Sequence, residues 1–139
     1  MNLFDSEAEA GSFDCKISVK SQGSNIISNK EYFMQFRPYL KEMLRALRPF
    51  FELIVYTAKP KIEAESIINE IEKEDSFFTY IIPVNYCYLL PTEKVHVKDI
   101  NIFLGNRTDR DFVMVTTQPF DCMLNSNNGI PIVPFIGDE

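Results

Sequence analysis

Two threonine positions and one lysine stand where an anion could be held. Thr57 follows the apolar run Phe51-Glu52-Leu53-Ile54-Val55-Tyr56, and Thr116-Thr117 follows Asp111-Phe112-Val113-Met114-Val115. Both runs read as buried strands. Ligands of open α/β sheets fall in the crevice beyond the carboxyl ends of the strands, so these hydroxyls could hold a phosphate there, with Lys98 as a third contact. Hydroxyls carry no negative charge at neutral pH and cannot replace a carboxylate nucleophile or a hard-cation site. Asp109-Arg110-Asp111 sets two carboxylates on one side of an extended segment, as Mg²⁺ would want, but it precedes its strand and so reads as structural. His96 is the one histidine. Without a neighbouring Cys or second His it cannot anchor a typical zinc site, and it reads as a surface or loop residue. Cys15, Cys87 and Cys122 lie too far apart for a paired-Cys zinc motif, and their odd number argues against a complete disulfide framework. They point to a reducing compartment. No Gly-rich phosphate loop, G-x-S-x-G elbow or H-E-x-x-H motif occurs.

The elements that must position these residues follow from periodicity. Phe13, Cys15, Ile17 and Val19 alternate with Asp14, Lys16, Ser18 and Lys20, which predicts a strand with one buried and one wet face. After the polar Ser21–Asn25, the aromatic run Glu31–Phe36 completes a hairpin. Leu40, Met43, Leu44 and Leu47 recur at helical spacing between Pro38 and Pro49. Ile62, Ala64, Ile67, Ile68 and Ile71 give the segment Lys61–Glu74 one apolar side, as in a helix laid on a sheet. Phe77–Val84 and Asp111–Val115 read as further buried strands, and Ile130–Phe135, with Pro131 and Pro134, as an edge strand. The order is that of an α/β domain with a mostly parallel sheet flanked by helices, and an N-terminal β-hairpin ahead of it.

A chain of 139 residues that is 45% hydrophobic has material for one domain with a core. The reading is a short acidic segment over residues 1–12, with Asp5, Glu7 and Glu9, followed by a domain over 13–139. A net charge of −6, without a basic stripe, argues against direct nucleic-acid binding. No secretory signal or ordinary mitochondrial presequence is visible, which makes an intracellular location the expectation and leaves the organelle open. The uncharged stretch Ser76–Thr92 is interrupted by Pro83, Asn85 and Pro91 and reads as buried structure, so no transmembrane segment is expected.

Phe36-Arg37-Pro38, Phe51–Ala58, His96-Val97-Lys98-Asp99-Ile100 and Gly129–Phe135 occur in that order. Together they resemble the NLI-interacting-factor-like family, the small C-terminal-domain phosphatases of the haloacid dehalogenase superfamily, from about Phe13 to Glu139. The resemblance implies a Rossmann-like, dehalogenase-type fold. It also implies a central strand ending in Asp-x-Asp-x-Thr, whose first Asp takes the phosphoryl group while the second acts as general acid; this sequence has no such motif. The family's second motif falls on Thr57 and its phosphate-binding Lys on Lys98, which makes these two residues vestigial phosphate contacts. Its last motif, an Asp-Asn pair that holds Mg²⁺, falls on Thr116-Thr117-Gln118-Pro119, so the metal carboxylate is gone. Asp121 is expected to lie too far past Pro119 to reach the same point.

Phosphoryl transfer of this kind needs a nucleophile, an acid and a cation. The expectation is therefore no catalytic residue, no metal site, no cofactor and no enzymatic activity. The chain would serve as a pseudophosphatase, a binding or scaffold subunit for protein partners in a larger assembly; a degenerate relative in mitochondrial import gives precedent, and by analogy a mitochondrial or nuclear association is open. The rivals are a Mg²⁺-dependent phosphoserine/phosphothreonine phosphatase whose first motif lies on sequence missing from this chain, and a phosphopeptide reader using Thr57 and Lys98. The resemblance also leaves only Met1–Ser12 for a central strand. Either Met1–Asp5 forms a stunted one, or a partner supplies it by strand addition.

Overall fold

The computed structural model describes residues 2–4, 13–22 and 27–137. The acidic run Asp5–Ser12 and the hairpin tip Gly23–Asn25 lie outside them. The chain clusters as two compact units: Met1–Val55, Lys59–Ile81 and Phe135–Glu139 form the first, and Tyr56–Ala58 with Ile82–Pro134 form the second. It is a mixed α/β protein of short sheets and helices.

In the first unit, β1 (Asn2–Phe4), β2 (Cys15–Gln22) and β3 (Ile27–Gln35) make an antiparallel sheet in the order β1-β3-β2. The predicted hairpin is β2–β3, with Cys15 opposite Met34 and Ile17 opposite Tyr32. Its alternation is realised: Ile17 and Val19 are buried while Lys16 and Ser18 are exposed. The strand expected at the centre of a parallel sheet is β1, and it lies instead at an edge, antiparallel to β3, with Asn2 opposite Gln35. The hairpin covers one side of β3 and leaves the backbone groups of its other side to pair, which a three-residue strand can do.

Helix α1 (Leu40–Leu47) buries Leu44 but leaves Met43 half exposed. Helix α2 (Lys61–Ile71) buries Ala64, Ile67, Ile68 and Ile71, while Ile62 stays exposed. Ile67, Ile68 and Ile71 join Ile17, Val19, Tyr32, Met34, Leu44 and Phe77 in one core. A buried Ile contributes ~1.5 to 3 kcal/mol. A surface pair such as Lys61–Glu65, at 3.6 Å, adds only ~0.3 to 0.5 kcal/mol, so the apolar side of α2 holds this unit together. Strand β4 (Leu53–Tyr56) pairs with β5 (Phe78–Ile82) in a second sheet.

In the second unit, β6 (Tyr88–Leu90) and β7 (Val95–Val97) form an antiparallel hairpin that the sequence pattern did not mark, with Leu89 opposite His96. Strands β8 (Met114–Thr116) and β9 (Gly129–Pro131) pair in parallel. The strand expected over Asp111–Val115 is thus β8 alone, because Asp109–Asp111 forms a 3₁₀ turn. Its Asp111 carboxylate accepts the Thr108 N–H at 2.7 Å and the Thr108 hydroxyl at 3.0 Å. Pro131 ends β9 early.

The strands of the described residues are distributed over four sheets of two or three strands, where one mostly parallel sheet was expected. Prolines account for part of this. Pro83 leads into a 3₁₀ turn at Val84–Tyr86 instead of extending β5, and Pro91 follows directly on β6. Among the described residues no helix is long and apolar enough to cross a membrane.

Candidate functional site

All the sequence-predicted site residues belong to the second unit. Thr57 follows the last residue of β4, Lys98 follows β7, and Thr116 is the last residue of β8. Thr57 and Thr116 therefore lie at the carboxyl ends of β4 and β8, whereas Lys98 follows an antiparallel hairpin.

Lys98 and Thr116 converge on a residue that the sequence reading set aside. The Lys98 Nζ lies 2.6 Å from Asp121 Oδ2, and the Thr116 hydroxyl donates to the same oxygen, also at 2.6 Å. The Lys98 backbone N–H adds a bond to the Asp121 carbonyl at 2.9 Å. The Lys98 and Asp121 side chains are only 12% and 13% exposed, and Thr116 is buried, so this is an interior ion pair with a charge-assisted hydrogen bond. The expectation that Asp121 could not reach this point is wrong. Gln118 N–H donates to Thr116 Oγ1 at 3.0 Å, closing a side-chain turn, and Asp121 N–H donates to the Gln118 carbonyl at 3.0 Å. These two bonds start the 3₁₀ segment Pro119–Asn128 and fold Asp121 back on Thr116. The signal was in the sequence: a Thr two residues before the turn, and a Pro suited to the first helical position.

Thr57 is tied to this group through Cys87. The Cys87 thiol donates to the Thr57 carbonyl at 3.7 Å, and the Thr57 N–H donates to Ile82 O at 2.9 Å. Burial pushes the Cys87 thiol above its ordinary pKa, while Lys98 pulls it down and Asp121 pushes it up. Cys87 therefore lies in the field of the ion pair. Next to Thr57, the Tyr56 hydroxyl donates to the Tyr86 carbonyl and accepts the Asp99 N–H at 3.3 Å. Burial, above all, raises the pKa of Tyr56. Thr117, the other half of the degenerate third motif, is exposed, and His96 is half-buried in β7.

The chemistry open to this arrangement is narrow. The Lys98 ammonium is already neutralised by a carboxylate, so an arriving phosphate would have to displace Asp121 or share the cation with it, against like-charge repulsion. Mg²⁺ does not fit either. The one carboxylate at the position is compensated by an ammonium 2.6 Å away, whereas Mg²⁺ sites draw on carboxylates free to face the ion. Among the described residues no three His, Cys, Asp or Glu side chains come together as a metal-binding group.

The chain matches the family model described as NLI interacting factor-like phosphatase over residues 3–139. It is 28% identical over 114 residues to CTD small phosphatase-like protein 2 of Dictyostelium discoideum, an overlap of 81% of this chain and 19% of that protein. It is also 28% identical over 110 residues to Nuclear envelope morphology protein 1 of Schizosaccharomyces pombe, across 77% of this chain and 22% of that one. The chain thus spans about a fifth of the length of these curated relatives.

Proposed function

The chain belongs to the NLI interacting factor-like phosphatase family, and from that premise we propose that it acts without catalysis, as a pseudophosphatase domain that binds or scaffolds partners in a larger protein assembly. The observation that carries this reading is the Lys98–Asp121 pair. The residue to which the family resemblance gives the phosphate has its charge held by an internal carboxylate, with Thr116 bonded to the same oxygen. The sequence has no Asp-x-Asp-x-Thr to supply a nucleophile, and a Thr stands where the third motif needs a metal carboxylate. A dehalogenase-type arrangement of the full domain belongs to the same proposal. The assembly to test first is one associated with the nucleus, because one relative is named for nuclear envelope morphology.

With Mg²⁺ present, the purified chain is expected to hydrolyse neither an aryl phosphate nor a phosphoserine peptide faster than a Thr57→Ala control. Hydrolysis that requires Mg²⁺ and stops with chelator would overturn the reading in favour of a working phosphatase. Saturable phosphopeptide binding lost in Lys98→Met would favour a reader of phosphorylated partners. Co-purification with a fixed set of proteins from the native source is the expected outcome for a scaffold.

A further inference from the structure

Position 129 admits no side chain, because a Cβ there would lie 2.4 Å from Cys122 Sγ. The Gly that this packing demands follows Asn128 and makes the one Asn-Gly pair of the sequence. An Asn side-chain carbonyl carbon lies within reach of the next residue's backbone nitrogen, and the five-membered ring closes most readily where that residue has no side chain to obstruct the approach. The contact with Cys122 thus places Asn128 in the sequence context in which an amide is most easily lost.

The fold engages both groups that would have to react. Asn128 Nδ2 donates to the carbonyls of Asp109 and Phe112, the latter at 2.9 Å, so both of its hydrogens are used. The Gly129 N–H, whose nitrogen would attack, donates to the Ser126 carbonyl. Ring closure therefore requires all three bonds to open first. The position also matters to the sheet. Gly129 is the first residue of β9 and registers against Met114 of β8, and two residues beyond β8's partner Ile130 the Ile132 N–H donates to Thr116 O at 2.8 Å. Thr116 in turn holds Asp121, so Asn128 anchors the strand pair on which the Lys98–Asp121 site is built.

We propose that Asn128 is a deamidation site that the folded second unit holds shut, and that its conversion unlocks β9 from β8 in one direction only. The Gly129 nitrogen bonds to Asn128 Cγ while the Cγ–Nδ2 bond breaks; the amide proton leaves with Nδ2 as ammonia, and a cyclic imide remains. Water then opens the imide at either carbonyl, giving aspartate or isoaspartate with no change of oxidation state. The product carboxylate has no proton to donate at neutral pH and faces two carbonyl oxygens that have lost their donor, acceptor against acceptor. In the isoaspartate form the main chain is also one methylene longer just before β9, which shifts the register set by Gly129. Opening of the second unit is thereby recorded chemically, since the released ammonia does not return.

The test ages the full chain in neutral buffer beside a synthetic peptide of residues 124–133, and reads the amide at position 128 by digestion and mass spectrometry. Deamidation should be slower in the folded chain by about tenfold or more, because the bonds at Nδ2 and at the Gly129 N–H must break before the ring closes. A folded chain that deamidates at the rate of the peptide overturns the proposal. Asn128→Asp reproduces the aspartate product, and hydrogen exchange of the Ile132 amide should be about tenfold or more faster in it than in the parent. If Asn128→Asp does not fold, the same exchange is read on chain deamidated by long ageing in the native state. Ile132 protection equal to that of the parent in the converted protein overturns the unlocking.

Discussion

Replacing Asp121 by Ala would leave the Lys98 ammonium in the interior with no counter-charge and remove the acceptor of the Thr116 hydroxyl. Breaking a buried pair by deleting one partner costs ~3 to 5 kcal/mol. A hydrogen bond to a charged group contributes ~1.5 to 3 kcal/mol. The two figures overlap because one carboxylate oxygen serves both donors. The residual exposure of 12% and 13% also lets some water reach the ammonium, so ~3 kcal/mol is the expected loss. At roughly 3 °C per kcal/mol for a chain of this length, the melting temperature should fall by about 9 °C. Asp121→Asn keeps an acceptor for Thr116 and should lose less. The double variant Lys98→Met/Asp121→Leu should be more stable than Asp121→Ala, since no unpaired charge remains. Thermal and urea unfolding of the single and double variants complete a cycle whose coupling energy should exceed ~1 kcal/mol. If Asp121→Ala melts with the parent, within the ~0.5 kcal/mol typical of surface changes, the pair is not the interior contact described and the account of Lys98 fails with it.

Three other outcomes are expected. Thr116→Asp should give no Mg²⁺-dependent turnover, because no nucleophile is created, and should lower stability by setting a second carboxylate against Asp121; activity gained by that one change would refute the reading. Burial, followed by Glu70, pushes the Cys15 thiol from 9.0 up to about 12, and burial also raises that of Cys87. A raised pKa keeps both thiols protonated at neutral pH, so alkylation at pH 8 should be far slower in the folded chain than after unfolding in urea and should accelerate as pH rises; rapid native labelling of Cys15 at pH 8 would contradict this. Gly129→Ala would drive a methyl into Cys122 Sγ and should cost ~1 to 3 kcal/mol, a loss that Cys122→Ala in the same chain should largely relieve, as read by urea unfolding.

Periodicity read the first unit well because its elements are long enough to have a period. The alternation of Cys15, Ile17 and Val19 along β2 buries Ile17 and Val19, and the three turns of α2 bury Ala64, Ile67, Ile68 and Ile71, while Ile62, which the pattern also names, stays exposed. In the second unit the strands have three residues apiece and the helices are 3₁₀ turns, too short for any pattern to rise above chance. There the information is local hydrogen-bonding chemistry. Asp111 caps Thr108 instead of opening a strand, and Thr116 builds the turn that brings in Asp121. Thr57 and Thr116 are legible as residues at strand ends, and Lys98 through the family resemblance; the carboxylate holding Lys98 is not, because the turn past Pro119 shortens in space what is long in sequence.

The division of the chain has a consequence for synthesis. Phe135 belongs to the first unit, where it is buried and the Arg37 guanidinium lies 5.8 Å from its ring, yet it is translated after the whole of the second unit. Between Ile81 and Phe135 there are 53 residues, which a ribosome adding ~5 to 20 residues per second takes roughly 3 to 11 s to make. During that interval the hairpin and both α-helices of the first unit are already available while their last segment is not. The second unit, in contrast, waits only for Pro134 once Tyr56–Ala58 has emerged. Nascent chains should therefore complete the second unit before the first, an order opposite to that in which most of their residues are made.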